Sequence, residues 1–282
     1  KGQPAYSVPP FTLTFEQLKW RRMIISSRAE GERFFPQEYP HTFEDAWINE
    51  NFSVFDVKKL FEMEKAVRPP QRLARIFPGP KLTTDNAIHF NYDEPYLAIW
   101  KEPEKDHKYD IGVDTAVGVE GGDWSTAEVF DRDTHEQVAE LHTHSDVFDF
   151  AAEIYWLGYY YHIAQLIIEV NSVGSAVHGA VASKNYPYLY RWRQRDRDVP
   201  RITRLGGWKT QRDTKAYLIA LFKEYVNKEK VVIHSRFLLE EMRNYVTIPN
   251  FGDYGDSFTA QRGHDDLVMG CGMSLVGGDD ET

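Results

Sequence analysis

The sequence has little or none of three features that define other classes of protein. One cysteine, Cys271, occurs in 282 residues, which excludes an intrachain disulfide and a zinc site built from cysteines and fits a reducing cytosol. No apolar run is long enough to span a membrane, and the N-terminus shows no signal-peptide pattern, so no membrane partner is expected. The phosphate-binding motif G-x-x-x-x-G-K-S/T is also absent, so we expect no ATP hydrolysis from this chain.

Positive charge is in deficit as well. Lys and Arg number 33 against 43 Asp and Glu, which gives a formal net charge of −10. This balance argues against a protein that coats nucleic acid through overall positive charge, so any such contact must come from a local basic patch. Hydrophobic residues make up 42% and aromatic residues 14%, enough for a core in one large domain or in a domain with an appendage.

Prolines divide the chain near residue 105. Residues 11–65 carry apolar stripes typical of helices, beginning at Thr14, which can form a capping box with Gln17. Six prolines in the stretch that follows leave room only for short extended pieces, including a strand at YLAIW. We therefore predict a helical and irregular appendage over residues 1–105 and a separate domain over residues 106–282.

The second part of the chain alternates regularly. Three β-rich segments separated by polar turns predict an antiparallel meander: YDIGVDTAV, STAEVFD and QVAELHTH. The long helix VFDFAAEIYWLGYYYH then precedes QLIIEV, whose continuous apolar run is typical of a strand buried on both faces. Further helices and a short strand, VVIH, complete an α/β mixed sheet of three antiparallel strands and then parallel ones, flanked by helices. Gly270 and Gly272 in the last helix indicate close packing against the sheet.

Carboxylates lie at the ends of these elements. Asp114 ends the first strand of the meander, which we expect in the middle of the sheet; Glu169 lies in QLIIEV; Asp265 and Asp266 open the final helix. A crossover through the long helix would place the Glu169 strand parallel to the Asp114 strand. Converging carboxylates repel one another unless a cation lies between them, and Mg²⁺ or Mn²⁺ prefers oxygen ligands. The pattern predicts a two-metal site for phosphodiester cleavage, with Asp114 as the bridging ligand.

Each carboxylate also has a structural interpretation. Asp114 can form a turn, Glu169 can pair with Arg or Lys, and the Asp265–Asp266 pair can cap a helix. The metal site is favoured because all of them occur in this one order of strands and helices.

The ordered set YDIGVDTAVGVEGGDWSTAEVFD, LIIEVNSVG, GGWKTQRDTK and HDDLVMG resembles the nuclease half of the terminase large subunit of tailed bacteriophages. Upstream, LTFEQLKWRRMIISS and FFPQEYPHTFEDAW resemble the segment that follows the packaging ATPase in that family. The resemblance covers most of residues 11–276. It implies an RNase H-like fold and a two-metal endonuclease that cuts concatemeric viral DNA, here without the ATPase.

The resemblance also implies ligands, cofactors and partners. It places metal-ligand roles on Asp114, Glu169, Asp265 and Asp266, with two Mg²⁺ or Mn²⁺ ions, and leaves open which of the adjacent pair binds which ion. Double-stranded DNA is the implied substrate, and the portal protein and small terminase subunit are the implied partners. The implied location is the host cytoplasm, with transient docking on the viral procapsid.

The segment RWRQRDRDVPRITR is the basic patch. It contributes six candidate phosphate-binding residues, Arg191, Arg193, Arg195, Arg197, Arg201 and Arg204. Interleaved aspartates also allow a simple solvated loop. Lys209 and Lys215 are further DNA-binding candidates, although Lys215 begins a core-facing helical stripe and can snorkel.

Histidines are weaker candidates. His264 can position water but also fits a helix cap, and His142 and His144 share a strand face on which we expect ordinary surface histidines. Two rival functions remain open: another nuclease on the same scaffold, of the Holliday-junction resolvase or transposase type, and a non-catalytic module that docks a motor onto the portal.

Overall fold

The structure, a computed structural model, describes residues 14–26, 53–77, 87–90, 96–118, 123–195, 202–248, 257–261 and 264–279. The chain divides into two compact units, residues 1–49 and 50–282. In the first unit, α1 spans Phe15–Ser26. Thr14 and Gln17 form the predicted capping box, because each backbone N–H donates to the other's side chain, at 2.8 and 3.3 Å.

The second unit holds the remaining helices and strands. Its described helices are α2 (Val57–Ala66), α3 (Val147–Tyr160), α4 (Gly174–Ser183), α5 (Arg212–Asn227), α6 (Arg236–Asn244) and α7 (Asp266–Asp279). The strands of its main sheet are β1 (Arg72–Ile76), β2 (Ile88–Phe90), β3 (Leu97–Ile99), β4 (Tyr109–Asp114), β5 (Ser125–Asp131), β6 (Glu136–Thr143) and β7 (Gln165–Ile168). Two hairpins add β8 (Arg191–Arg195) with β9 (Ile202–Gly206) and β10 (Tyr245–Ile248) with β11 (Ser257–Ala260). None of the described helices combines the length and apolar character needed to cross a membrane.

The predicted mixed sheet is confirmed. Within the described residues it has seven strands in the order β2-β1-β3-β6-β5-β4-β7. Strands β4, β5 and β6 form the predicted antiparallel meander, and β7 pairs with β4 in parallel after the α3 crossover. Strands β1–β3 extend the same sheet, so it draws residues from both sides of the predicted boundary at 105/106.

Two details of the predicted sheet were wrong. The strand of Asp114 is not central, because β4 is the sixth of the seven described strands and only β7 follows it in the strand order. VVIH is not a strand: Val232 makes a single bridge to Glu136. The apolar residues of this segment serve the core without forming a strand: Val231 and Ile233 are buried, whereas Val232 is 45% exposed.

Helices cover both faces of the sheet at β4. Tyr109, Ile111 and Val113 belong to a core shared with α3 and α4, whereas α5, α6 and α7 pack in a second core on the opposite face. The alternate residue Gly112 lies against α7, where an added Cβ would overlap the carbonyl oxygen of Gly270. The predicted close packing of the last helix is therefore confirmed, and it brings the start of α7 to the carboxyl end of β4.

Candidate active site at the sheet edge

Asp114 and Glu169 lie side by side at one edge of the sheet. Asp114 is the last residue of β4 and Glu169 directly follows β7, where its N–H donates to the carbonyl oxygen of Val113 at 3.0 Å. Parallel pairing of β4 with β7 sets this arrangement, because it brings both carboxyl ends to the same edge. The two residues that the sequence singled out are thus neighbours at the ends of adjacent strands.

The electrostatics of Asp114 reflect this crowding. Burial raises the pKa of Asp114 well above its ordinary value, and the charges of Glu169 and Asp266 raise it further. A hydrogen bond with the Glu169 side chain acts in the same direction, while the Thr115 N–H, at 2.8 Å from Oδ1, opposes it. The ionised form of Asp114 is therefore disfavoured until positive charge reaches this edge.

Asp266 brings a third carboxyl group to the edge as the first residue of α7. Its Oδ2 accepts from the Trp124 N–H at 3.3 Å, and its carbonyl oxygen accepts from the Thr126 hydroxyl at 3.1 Å. Burial raises the pKa of Asp266 to about 6, although the Trp124 hydrogen bond and His264 lower it. The helix thus begins against the first residues of β5, next to Asp114.

Lys215 reaches the same edge but contacts a carboxylate. Its Nζ lies 3.1 Å from Oδ2 of Asp265 and 5.7 Å from the ring centre of Tyr245. The preceding turn positions it, since the Thr214 hydroxyl donates to the carbonyl oxygen of Lys209 at 2.8 Å at the start of α5. Lys209 itself is exposed beside this turn.

Glu241 of α6 is a further carboxyl group, which the sequence interpretation missed. Its Oε2 accepts from the N–H groups of Leu267 and Val268 at 3.0 and 3.1 Å, so it caps the N-terminus of α7 from a neighbouring helix. Burial raises its pKa to about 8, and the charge of Asp266 contributes to the increase. The sequence did carry a signal for this residue, because Glu241 lies three residues after Leu238, on the apolar face of the helix.

These carboxyl groups are not drawn into a closed ligand set. Among the described residues, only His107, Asp131 and Asp133 place three ligand atoms within 4.8 Å of one another. That cluster lies at the other end of β4, about 17 Å away by the rise of a strand. Asp131 there receives the N–H of Asp133 at 2.9 Å, which is the geometry of a turn.

The basic segment forms a hairpin where the sequence interpretation expected a loop. Its register places Arg193 opposite Arg204, and its base is anchored by the ring contact of Trp192 with Trp208 at 4.9 Å. Of the six arginines, Arg197 and Arg201 lie outside the described residues.

The hairpin starts and ends beside the candidate site. The backbone N–H of Trp208 donates to the carbonyl oxygen of Ile168 at 2.8 Å, and its carbonyl oxygen accepts from the N–H of Val170 at 2.7 Å, which places it alongside Glu169. Gly207 precedes it with φ of 76°, a conformation that suits glycine. The hairpin is therefore one strand away from Asp114.

His264 is exposed beside the start of α7, as expected, whereas His142 and His144 differ from expectation. His264 Nδ1 lies 3.1 Å from Oδ1 of Asp123 and 4.0 Å from Oδ2 of Asp266. His142 and His144 are not ordinary surface residues: both are half-buried, and their rings pack against Trp124.

Comparison with known proteins shows a shared fold. No protein-family model matches the sequence. The large terminase nuclease from thermophilic phage G20c matches in its cobalt-bound and magnesium-bound crystal structures, each with a TM-score of 0.54, at 20% and 21% identity. Each match covers 80% of this chain and 97% of that chain. A further crystal structure of the same nuclease matches with a TM-score of 0.54 at 19% identity, over 80% of this chain and 98% of that one. This chain therefore has the RNase H-like fold of phage large terminase nucleases.

Proposed function

We propose that this chain is the metal-dependent endonuclease part of a phage terminase large subunit, which hydrolyses double-stranded concatemeric DNA during genome packaging. The observation that supports it most directly is the meeting of Asp114, Glu169 and Asp266 at one sheet edge, where burial and mutual repulsion raise the pKa of Asp114. Buried, repelling carboxylates are stabilised by cations. The fold shared with the G20c nuclease supports the same assignment.

The donor set suits hard divalent cations such as Mg²⁺ or Mn²⁺. Two such ions would bind at the site. Asp114 is the proposed bridging ligand because the charges of both Glu169 and Asp266 act on its carboxyl group and raise its pKa. Asp265 is the proposed remaining ligand, which Lys215 orients through its ion pair at 3.1 Å. When bound, such ions would activate a water molecule and stabilise the leaving oxygen of the phosphodiester.

The chain itself supplies orientation. The N–H groups of Thr115 and Trp124 fix the carboxylates of Asp114 and Asp266, at 2.8 and 3.3 Å. Glu241 holds the first turn of α7 and with it the position of Asp266. These hydrogen bonds limit the side-chain motion that metal binding would otherwise have to restrict.

DNA would reach the site beside the β8–β9 hairpin. Its arginines, together with Lys209 and Lys215, are proposed to contact phosphates, which would make affinity dependent on salt and largely independent of sequence. Contacts with a portal protein and a small terminase subunit, and action in the host cytoplasm on a docked procapsid, belong to the same proposal and rest on the resemblance.

The test is Asp114→Asn, with Asp106→Asn as a matched control at an exposed position shortly before β4. The control should leave plasmid nicking and Mn²⁺ binding unchanged. We expect Asp114→Asn to reduce plasmid nicking in Mg²⁺ or Mn²⁺ by about 100-fold or more, at or beyond the upper end of what outer-shell partners contribute. Calorimetry should show that Asp114→Asn binds Mn²⁺ more weakly than the wild type does. Circular dichroism should show that its fold is unchanged. Full activity of Asp114→Asn would remove this residue from the site.

Two further measurements separate the rival functions. Preferential cleavage of branched over linear duplex DNA would favour a resolvase-type nuclease. If the wild-type chain binds neither Mg²⁺ nor Mn²⁺ up to high millimolar concentration, a non-catalytic docking module is favoured instead.

A further inference from the structure

A cavity of about 1080 Å³ opens next to the candidate active site. It begins at Trp124 and His264 and extends across β6, β3 and β1 on the side of α6. Phe237 of α6 lines it and is 65% exposed. This volume exceeds what a single nucleotide needs, and no role assigned above uses it.

One wall of the cavity is a stack of aromatic rings, which we call the ring shelf (Trp124, His142 and His144). The Trp124 ring centre lies 3.5 Å from that of His144 at 30°, and 4.3 Å from that of His142 at 50°. Burial lowers the pKa of His142 to about 4, so that ring is neutral at physiological pH. The indole of Trp124 and the neutral imidazole of His142 are aromatic surfaces that can stack with another π system.

The ring shelf is continuous with the carboxylate site. The backbone N–H of Trp124 donates to Asp266, so the residue that carries the largest ring also holds a proposed metal ligand. His264 lines the cavity mouth with its Nδ1 4.0 Å from the same carboxylate. A DNA strand with a phosphate at the carboxylates would therefore have an adjacent nucleotide beside the ring shelf.

The charges of the cavity disfavour a phosphate-binding role for it. Its acidic and basic lining residues other than the histidines are Arg75, Glu140, Asp149, Glu240 and Glu241. Burial raises the pKa of Glu140 to about 7 and that of Glu241 to about 8, which reduces their negative charge without making the cavity cationic. The ligand must therefore be recognised by its flat neutral surface and not by its phosphates.

We propose that the ring shelf binds an unpaired nucleobase of a DNA strand whose phosphate lies at the carboxylate site. An unpaired base presents free π faces, whereas bases inside a duplex are already stacked on their neighbours. Arginines of the hairpin would hold the duplex, and the shelf would take a base next to the cut. This inference rests on the proposed nuclease function and specifies how the strand lies beside the site.

The experiment uses a single-stranded oligonucleotide carrying the fluorescent base 2-aminopurine, bound to the full chain in EDTA so that no cleavage occurs. Stacking on Trp124 should quench the 2-aminopurine emission. Trp124→Leu should weaken binding about tenfold, the loss expected for one stacked base, whereas Trp124→Phe keeps a ring and should retain most of the affinity. Phe237→Ala should weaken binding less than Trp124→Leu does.

Phe148→Ala is the matched control, because Phe148 is an aromatic residue of a helix surface, 71% exposed and not part of the cavity lining. Its affinity should equal that of the wild type. Unchanged 2-aminopurine emission with the wild-type chain, or equal affinity of Trp124→Leu and Trp124→Phe, would overturn the inference. Plasmid nicking by the wild type decides the nuclease function separately, so nicking without quenching refutes the shelf alone.

Discussion

At the scale of single residues, the candidate site depends on backbone atoms as much as on carboxylates. The side chains of Asp114 and Glu169 meet because the N–H of Glu169 donates to Val113 across two parallel strands. The turn after Glu169 is held close by Gly174, where an added Cβ would overlap the carbonyl oxygen of Glu169. The motif LIIEVNSVG thus combines a proposed ligand with the glycine that lets the chain turn directly behind it.

Gly174→Ala should therefore displace Glu169. We expect a loss of stability of about 1–3 kcal/mol, as for other overpacked sites, together with weaker Mn²⁺ binding. Gly179→Ala on the same helix is the control, because an added Cβ there meets nothing within 4 Å. It should leave Mn²⁺ binding unchanged and stabilise the chain by up to about 1 kcal/mol. Thermal melts and calorimetry measure both effects, and equal behaviour of the two variants would contradict this role of Gly174.

At the scale of elements, the proposed DNA surface includes the β8–β9 hairpin, whose place in the fold is set by strand pairing. Its two ends lie beside β7, one strand from Asp114, so a duplex held by the hairpin would lie near the carboxylates.

Reversal of charge at Arg193 and Arg195 to Glu should weaken DNA binding. The slope of log affinity against log salt concentration should become shallower by about 2, which is one for each phosphate that the variant no longer neutralises. Reversal at Lys105 and Lys108 changes the net charge equally, but these exposed residues lie near the start of β4, at the opposite end of the sheet from the site. Titrations at several salt concentrations distinguish the pairs. An identical slope for both would show that only net charge matters.

A second contact between elements joins α6 to α7. Glu241 accepts two N–H groups that would otherwise be unpaired at the start of α7, next to Asp266. The cap is thus a positioning contact that acts through a helix terminus.

Glu241→Ala should cost about 1–3 kcal/mol of stability, because two buried donors lose their partner, and it should weaken Mn²⁺ binding as Asp266 moves. Glu241→Gln keeps an acceptor oxygen and should lie closer to the wild type in both measurements. The exposed neighbour Glu240, changed to Ala, should have little effect on stability. Wild-type Mn²⁺ affinity in Glu241→Ala would argue against the positioning role.

At the scale of the whole molecule, the protein folds around carboxyl groups whose pKa burial raises to the neutral range or above. Burial raises the pKa of Glu140 and Glu153 to about 7 and that of Glu241 to about 8. Above pH 6.5 these groups are ionised in the unfolded chain but partly protonated in the folded one. The folded state therefore binds more protons, and the free energy of unfolding should fall as the pH rises from 6.5 to 8.

Glu153→Gln isolates one of these groups away from the candidate site. Glu153 Oε1 accepts from the hydroxyls of Tyr96 and Ser145 at 2.8 and 2.7 Å, and a glutamine oxygen can accept both. The variant should show a shallower decrease in stability between pH 6.5 and 8, measured by urea unfolding at several pH values. A slope equal to that of the wild type would mean that Glu153 is ionised in the folded protein.

Much of this arrangement followed from local sequence patterns. Alternation in YDIGVDTAV and its successors determined the meander, and the crossover through α3 determined that the strand before Glu169 lies parallel to that of Asp114. The proposed metal-ligand roles of these residues stay predictions. The predicted position of β4 in the sheet was wrong because the short strand β3, in a segment rich in proline, shows no local pattern that indicates its pairing with β6 about 40 residues later.

The sequence by itself determined the order of the strands and helices and which carboxylates end them, because periodicity and chain connectivity are local properties. Only the tertiary structure decided that a polar segment pairs with itself as a hairpin on Trp208, that Glu241 caps α7, and that Trp124 packs on two histidines. Each of those contacts joins residues of different elements, and its free energy exists only once hydrophobic burial has brought the elements together.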